Sequence, residues 1–155
     1  MLSTKEALTL LLSAAKSINE TEIISTIDAT GRVLADHVTS QLNVPTMDNT
    51  QMDGYAVRAS DCVSGGASLR VSQRIPAGYV GQRLEPGTAA RIFTGALIPE
   101  GADAVVMQEQ CIFDEATGSV TVNHTPISGE WVRRAGEDIR AGSIILESGT
   151  RLRAQ

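Results

Sequence analysis

The sequence predicts an α+β chain, mostly β, in which one N-terminal helix precedes a run of short strands. Three observations carry that expectation. Apolar residues recur at helical spacing near the N-terminus; from Gly54 onward β-like runs alternate with glycine and proline turns; and aromatics are only 3% of a chain that is 42% hydrophobic. The core is therefore aliphatic, built from Val, Ile, Leu and Ala. Strands separated by turn signals at this spacing suggest a small barrel or sandwich.

Ser3 and Glu6 form a capping-box pattern. Ala7, Leu8, Leu11, Leu12, Ala15 and Ile18 follow at helical spacing, predicting an amphipathic helix over 4–18. Thr21 to Ile27 is β-branched and reads as a strand. Asp28 offers an N-cap for a short helix carrying Val33 and Leu34, weakened by Gly31. A second strand through "HVTSQLNV" is closed by Pro45. Beyond it, "GYAVRAS", "ASLRVSQRI", "AARIFTG", "DAVVMQEQCIF" and "SVTVNHT" read as strands, with "DEATGS" a hairpin connection between the last two. The end, "WVRRAGEDIRAGSIILESGTRLRAQ", reads as a strand, a glycine-rich loop and a strand through "SIILESGTRL". No linker divides the 155 residues cleanly, so the helical and β parts form two lobes that the chain crosses more than once.

Composition removes several function classes. The net charge is -5 with no Lys/Arg run, which leaves no electrostatic footprint for nucleic acid. Nothing approaches the roughly 18 consecutive apolar residues of a membrane span. The N-terminal apolar stretch lacks a basic lead-in and contains Glu6, so it reads as a helix and not a signal peptide. The only lysines, Lys5 and Lys16, lie on that helix, which excludes a Walker-type loop. There is no Gly-x-Ser-x-Gly elbow. His37 and His124 are far apart in strand-like runs and read as surface or half-buried side chains. Cys62 and Cys111 lack metal spacing and read as two reduced, partly buried thiols of a cytosolic protein.

Three loops carry the remaining chemistry. In "VPTMDNTQMDGYAVRASD", Asp48 and Asn49 suit Asx turns and Asp53-Gly54 turns the chain into a strand. The alternative is that Asp53 helps hold a hard cation such as Mg²⁺, which takes oxygen ligands and often only one or two protein carboxylates. In "RIFTGALIPEGADAVVMQE", Thr94 before Gly95 either meets an anionic ligand or caps its own turn. In "RRAGEDIRAG", Arg133 and Arg134 can hold phosphate bidentately while Glu137 and Asp138 share a metal. The other reading is a solvated turn with ion pairs worth little each. Taken singly, each loop stays open between its two readings.

Taken together and in this order, "DNTQMDGYAVR", "RIFTGALIPEGADAVVMQE" and "RRAGEDIRAGSIILESGTRL" resemble the N-terminal part of the molybdopterin molybdenumtransferase family, of MoeA and gephyrin E-domain type. The resemblance runs from the helix through "GRVLAD" to the last residue. It departs at Thr50, where a serine is common, and at Met47, where an aromatic is frequent. The resemblance implies the last step of molybdenum cofactor synthesis: hydrolysis of adenylylated molybdopterin with Mg²⁺ and insertion of molybdate into the dithiolene. Carried over by motif, it implies catalytic roles for Asp53, Thr94 and Asp138. It implies substrate contacts for Asn49, Arg133 and Arg134, and metal contacts for Asp53, Glu137 and Asp138. It also implies a cytoplasmic homodimer whose N-terminal lobe faces the partner's α/β domain, with molybdopterin adenylyltransferase as functional neighbour and neither nucleic acid nor membrane as partner.

In the family, the chain continues past "GTRL" into a MogA-like α/β domain and a C-terminal β-domain. Both are missing from these 155 residues, so the expectation is a partial site, inactive alone. The expected lobes are an elongated helix and strand lobe from 1–48 and 138–155, and a compact, barrel-like β lobe from 49–137. A rival expectation, from another class, is a dimerisation and scaffold module with purely structural loops. A standalone small-ligand barrel is disfavoured by the lack of aromatic lining.

Overall fold

The computed structural model describes residues 2–154. Its contacts divide the chain into two units. The first runs to His37 and resumes at Leu146; the second is Val38–Ile145. The first is discontinuous. The division falls outside the expected boundaries at 48/49 and 137/138, because residues 38–44 are tied to residues 139–143. Ser40 N–H bonds Ser143 O at 2.9 Å and Val44 bridges Ile139.

In the first unit, α1 (Thr4–Ala14) starts where the sequence predicts. Ser3 caps the Glu6 N–H while the Glu6 carboxylate returns to the Ser3 N–H at 2.7 Å. The helix stops four residues short of the predicted end, so Ala15 and Ile18 lie off it. It buries none of its residues, and Leu8, Leu11 and Leu12 are exposed. Without a tertiary surface to hold it, an 11-residue helix has little beyond its cap and propensity to extend it. The strand predicted for Thr21–Ile27 and the helix predicted after Asp28 do not form. Thr26–Asp28 is a single 3-10 turn, with Ile23 and Ile27 exposed; β-branched residues make a strand only where a partner edge accepts them. Gly31, at a φ of 85°, turns the chain instead of continuing a helix. Residues 31–35 then align with 148–152: Gly31 N–H bonds Leu152 O, Leu34 N–H bonds Thr150 O, and Val33 bridges Arg151.

The second unit holds β1 (Val38–Thr39), β2 (Asn49–Thr50), β3 (Gly54–Val57), β4 (Ala67–Ile75), β5 (Thr88–Ile92), β6 (Ala104–Met107), β7 (Cys111–Asp114), β8 (Ser119–Val122) and β9 (Val132–Arg133). The last strand, β10 (Ile144–Leu146), pairs with β1, and β9 pairs with β2. The predicted "DAVVMQEQCIF" run splits into β6 and β7 around a 3-10 turn at Gln108–Gln110. Six strands form a curled half-barrel in the order β6-β3-β5-β4-β8-β7. Neighbours are antiparallel except β4 with β5, where the register shifts between Val71 and Gln73. The β7–β8 hairpin turns at "EATG", as "DEATGS" predicts.

Period-two alternation sends the central strands' side chains to opposite faces. Tyr55, Val57, Ala89, Ala104, Val106, Val120 and Val122 pack on one. Ala56, Ile75, Leu84, Ala90, Ile92, Val105 and Val132 pack on the other. With both faces covered, β3 and β6 read as unbroken apolar runs, and β5 does so apart from Thr88 and Arg91. Small residues let these strands lie close. A Cβ on Gly54 would sit 2.0 Å from the Val106 carbonyl oxygen, so the first residue of β3 has no room for a side chain.

Candidate functional site

The antiparallel register of β3 with β5 pairs Gly54 with Ile92. The residue before β3 therefore faces the residues just after β5, which are Phe93 and Thr94. Asp53 uses this placement: its Oδ1 accepts the Thr94 backbone N–H and the Thr94 hydroxyl, each at 2.7 Å. Gly95, at a φ of 81°, reverses the chain behind Thr94 and bonds its N–H to Thr50 O. Arg91 secures the other side. Its guanidinium donates to Gly54 O at 2.9 Å and to Gln108 Oε1 at 2.6 Å. The Thr94 N–H, then the Thr94 hydroxyl, hold the Asp53 carboxyl below the usual carboxylate range; the Arg91 charge adds a smaller push the same way.

The third loop is organised by β2 and β9, which pair Asn49 with Arg133 and Thr50 with Val132. Arg133 pairs with Asp138, and this raises the arginine's own affinity for its proton. Arg134 Nη1 reaches Asp48 Oδ2 at 2.6 Å, and the Ala135 N–H reaches Asp48 Oδ1 at 2.8 Å. Partial burial pushes the Asp48 carboxyl up, but the Ala135 N–H and Arg134 together bring it below its ordinary value. Glu137 accepts the Arg134 N–H at 2.9 Å, closing the turn. An open cavity of about 440 Å³ lies beside this turn, lined by Glu137, Asp138, Arg140, Ser143 and Ile144 among others. The Asn49 amide donates to Met47 O at 3.3 Å.

The structure thus joins Asp53 with Thr94, and Arg133 with Asp138, on either side of β2. That strand bonds residues 95–97 along one edge and 131–133 along the other. Asp53, Glu137 and Asp138 do not converge: among the described residues, no group of three or more His, Cys, Asp or Glu is arranged to hold a metal ion. The carboxylate donor set suits Mg²⁺ only as one or two ligands, with a substrate's phosphates supplying others. His37 and His124 are surface and half-buried side chains, with His124 on Glu130 at 2.8 Å. Both cysteines are free; burial, then Cys62, pushes the Cys111 thiol up to about 11.

Sequence reasoning gave Asp48 a turn role and gave Arg91 none. Asp48 in fact spans 86 residues to Arg134. No local pattern signals such a partner. Arg91 had a weak signal, as a charge within an otherwise apolar strand.

Residues 2–155 match the family model described as the MoeA N-terminal region, domains I and II. A molybdopterin molybdenumtransferase from Haemophilus influenzae is 40% identical over 98% of this chain and 37% of its own length. One from Nostoc sp. is 44% identical over 93% of this chain and 34% of its own length. The crystal structure of a molybdopterin biosynthesis MoeA protein from Pyrococcus horikoshii OT3 superposes with a TM-score of 0.88 at 35% identity, over 96% of this chain and 40% of that one. The chain spans little more than a third of the length of these curated relatives.

Proposed function

The chain belongs to the family of the MoeA N-terminal region, and from that premise we propose that it is the N-terminal portion of a molybdopterin molybdenumtransferase. In this reading it serves molybdenum cofactor synthesis in the cytoplasm. It helps cleave adenylylated molybdopterin and insert molybdate, inside a homodimer that works next to a molybdopterin adenylyltransferase. The observation that carries the reading is the family match over residues 2–155, which includes all three loops.

The contacts among those loops support specific roles. Asp53 is held ionised by Thr94, with its Oδ1 committed to the two Thr94 donors and its other oxygen left to face solvent and substrate. Arg133 and Arg134 present guanidiniums at one turn beside Asn49. Their pairing with Asp138 and Asp48 leaves each further donors for phosphate oxygens. Asp53, Glu137 and Asp138 are the carboxylates that would hold Mg²⁺, singly or in pairs. The ion, when bound, would neutralise charge developing at the phosphoanhydride. The chain spans little more than a third of the curated relatives' length, and this reading assigns it only part of the site.

The test is reconstitution of a molybdoenzyme by a protein in which this region is followed by the α/β domain. Asp53→Asn and Asp138→Asn should each lower reconstitution by about a hundredfold, within the range for removing one group that handles charge or protons, with melting lowered only slightly. Asparagine keeps the Oδ1 acceptor for Thr94, so only the small contribution of the charge is lost to the fold. The 155-residue chain alone should reconstitute nothing. Full activity in both variants would sink the site assignment.

The scaffold reading has one observation in its favour: α1 buries nothing within this chain and offers leucines to a partner. It predicts a large fall in melting temperature for Asp53→Asn with no specific loss of activity, the reverse of the enzymatic reading.

A further inference from the structure

Away from the Asp53 and Asp138 loops, the sheet carries a second cavity, of about 320 Å³. Tyr55, Val71, Gln73, Arg74, Arg91 and Phe113 line it. It opens where the parallel β4–β5 pair slips register between Val71 and Gln73. Such an irregularity re-aims the side chains beside it.

Three features set this cavity apart. The first is charge. The chain carries a net -5, yet two guanidiniums and no carboxylate line this space. Both guanidiniums lie over the Phe93 ring, Arg74 at 4.6 Å and Arg91 at 4.7 Å from its centroid. Two like charges gathered at one ring repel, and an anion between or beside them relieves that repulsion. The second feature is free donors. Arg91 spends two of its five donors on Gly54 O and Gln108 Oε1. The Arg74 side chain has no hydrogen bond or ion pair among the described residues. The third is Tyr55. It is only 7% exposed, it lines the cavity, and its hydroxyl has no protein hydrogen-bond partner among the described residues. Its oxygen is not sealed from solvent, so it is free to meet a ligand in the cavity. By contrast, the Gln73 amide is engaged at both ends, donating to Gln82 O and accepting the Gln82 N–H at 2.8 Å each.

We propose that this cavity is a binding site for a small organic anion. The Arg74 and Arg91 guanidiniums take a phosphate or carboxylate, the Tyr55 hydroxyl takes a further oxygen, and Phe113 with Val71 covers an apolar or ring-shaped body. The volume lies at the lower end of the range for small-molecule sites, which limits the ligand to about the size of one ring with its anionic group. The cavity shares Arg91 with the surroundings of Asp53, but its test does not depend on transferase activity.

The experiment is an amide-shift titration of the 155-residue chain with phenyl phosphate, and in parallel with inorganic phosphate and with phenol. Saturable shifts centred on Val71–Arg74, Tyr55 and Phe113 are expected for phenyl phosphate, with dissociation in the millimolar range or tighter. Inorganic phosphate should bind more weakly and phenol should not bind. Arg74→Ala, a change on an exposed side chain that leaves the melting temperature alone, should weaken phenyl phosphate by about tenfold or more. Tyr55→Phe should weaken it less. Absence of saturable shifts, or equal binding by Arg74→Ala, overturns the site. Inorganic phosphate matching phenyl phosphate overturns the assignment of an organic ligand.

Discussion

The two units of this chain use apolar residues in opposite ways. In the second, Ile75, Ile92, Val105 and Val106 are at most 1% exposed, and alternate side chains feed cores on both faces of one sheet. In the first, Leu11 and Leu12 remain 70% and 66% exposed on a helix with a complete capping box. A helical stripe specifies which residues share a face. It does not supply the surface that covers them, and within this chain α1 has none.

The contrast makes graded predictions. The largest effect belongs to the sheet. Ile92→Ala should cost about 2–5 kcal/mol, the range for deleting a buried branched side chain. Gly54→Ala, which drives a Cβ toward the Val106 carbonyl, should cost about 1–3 kcal/mol as an overpacking change. Denaturant unfolding measures both. Next comes the helix cap: Ser3→Ala should cost α1 about 1 kcal/mol. Far-UV dichroism should register the lost helix while the sheet's unfolding midpoint stays put.

Leu11→Ala should move the chain's stability by less than about 0.5 kcal/mol. A cost near that of Ile92→Ala would break the comparison, because it would mean that a partner, such as a second copy, already covers the helix in solution. Sedimentation of both forms would identify that partner.

The smallest effect is electrostatic. The Asp53 carboxyl titrates below its ordinary value when folded. Its contribution is therefore fully present above the unfolded value of about 3.9, and is lost as pH falls through the lower folded value. Asp53→Asn removes that titration. Melting curves between neutral pH and pH near 3 should fall less steeply for the variant than for the parent, while Asp48 keeps part of the slope in both.

What could be read ahead of the coordinates followed local rules. The capping box, the nine residues of β4 and the β7–β8 hairpin formed as expected, since each depends on near neighbours or on strict alternation. "TEIISTI" failed for the matching reason: its strand preference found no partner edge. The site divided in the same way. Asp53, Thr94 and Asp138 could be singled out as candidates from their motifs. The Asp48–Arg134 pair and the Arg91 bridge to Gly54 and Gln108 could not, because those partners are far apart in sequence.

The sequence by itself determined the helix start, most strands of the sheet, the aliphatic core and the family, because periodicity, turn chemistry and motif order are written in consecutive residues. Only the tertiary structure decided which apolar faces are covered and which charges meet. It set Gly54 opposite Ile92 and so brought Thr94 to Asp53, and it turned Arg133 and Arg134 toward Asp138 and Asp48. Register and chain crossing fix those distances, and neither is a property of any single stretch of residues.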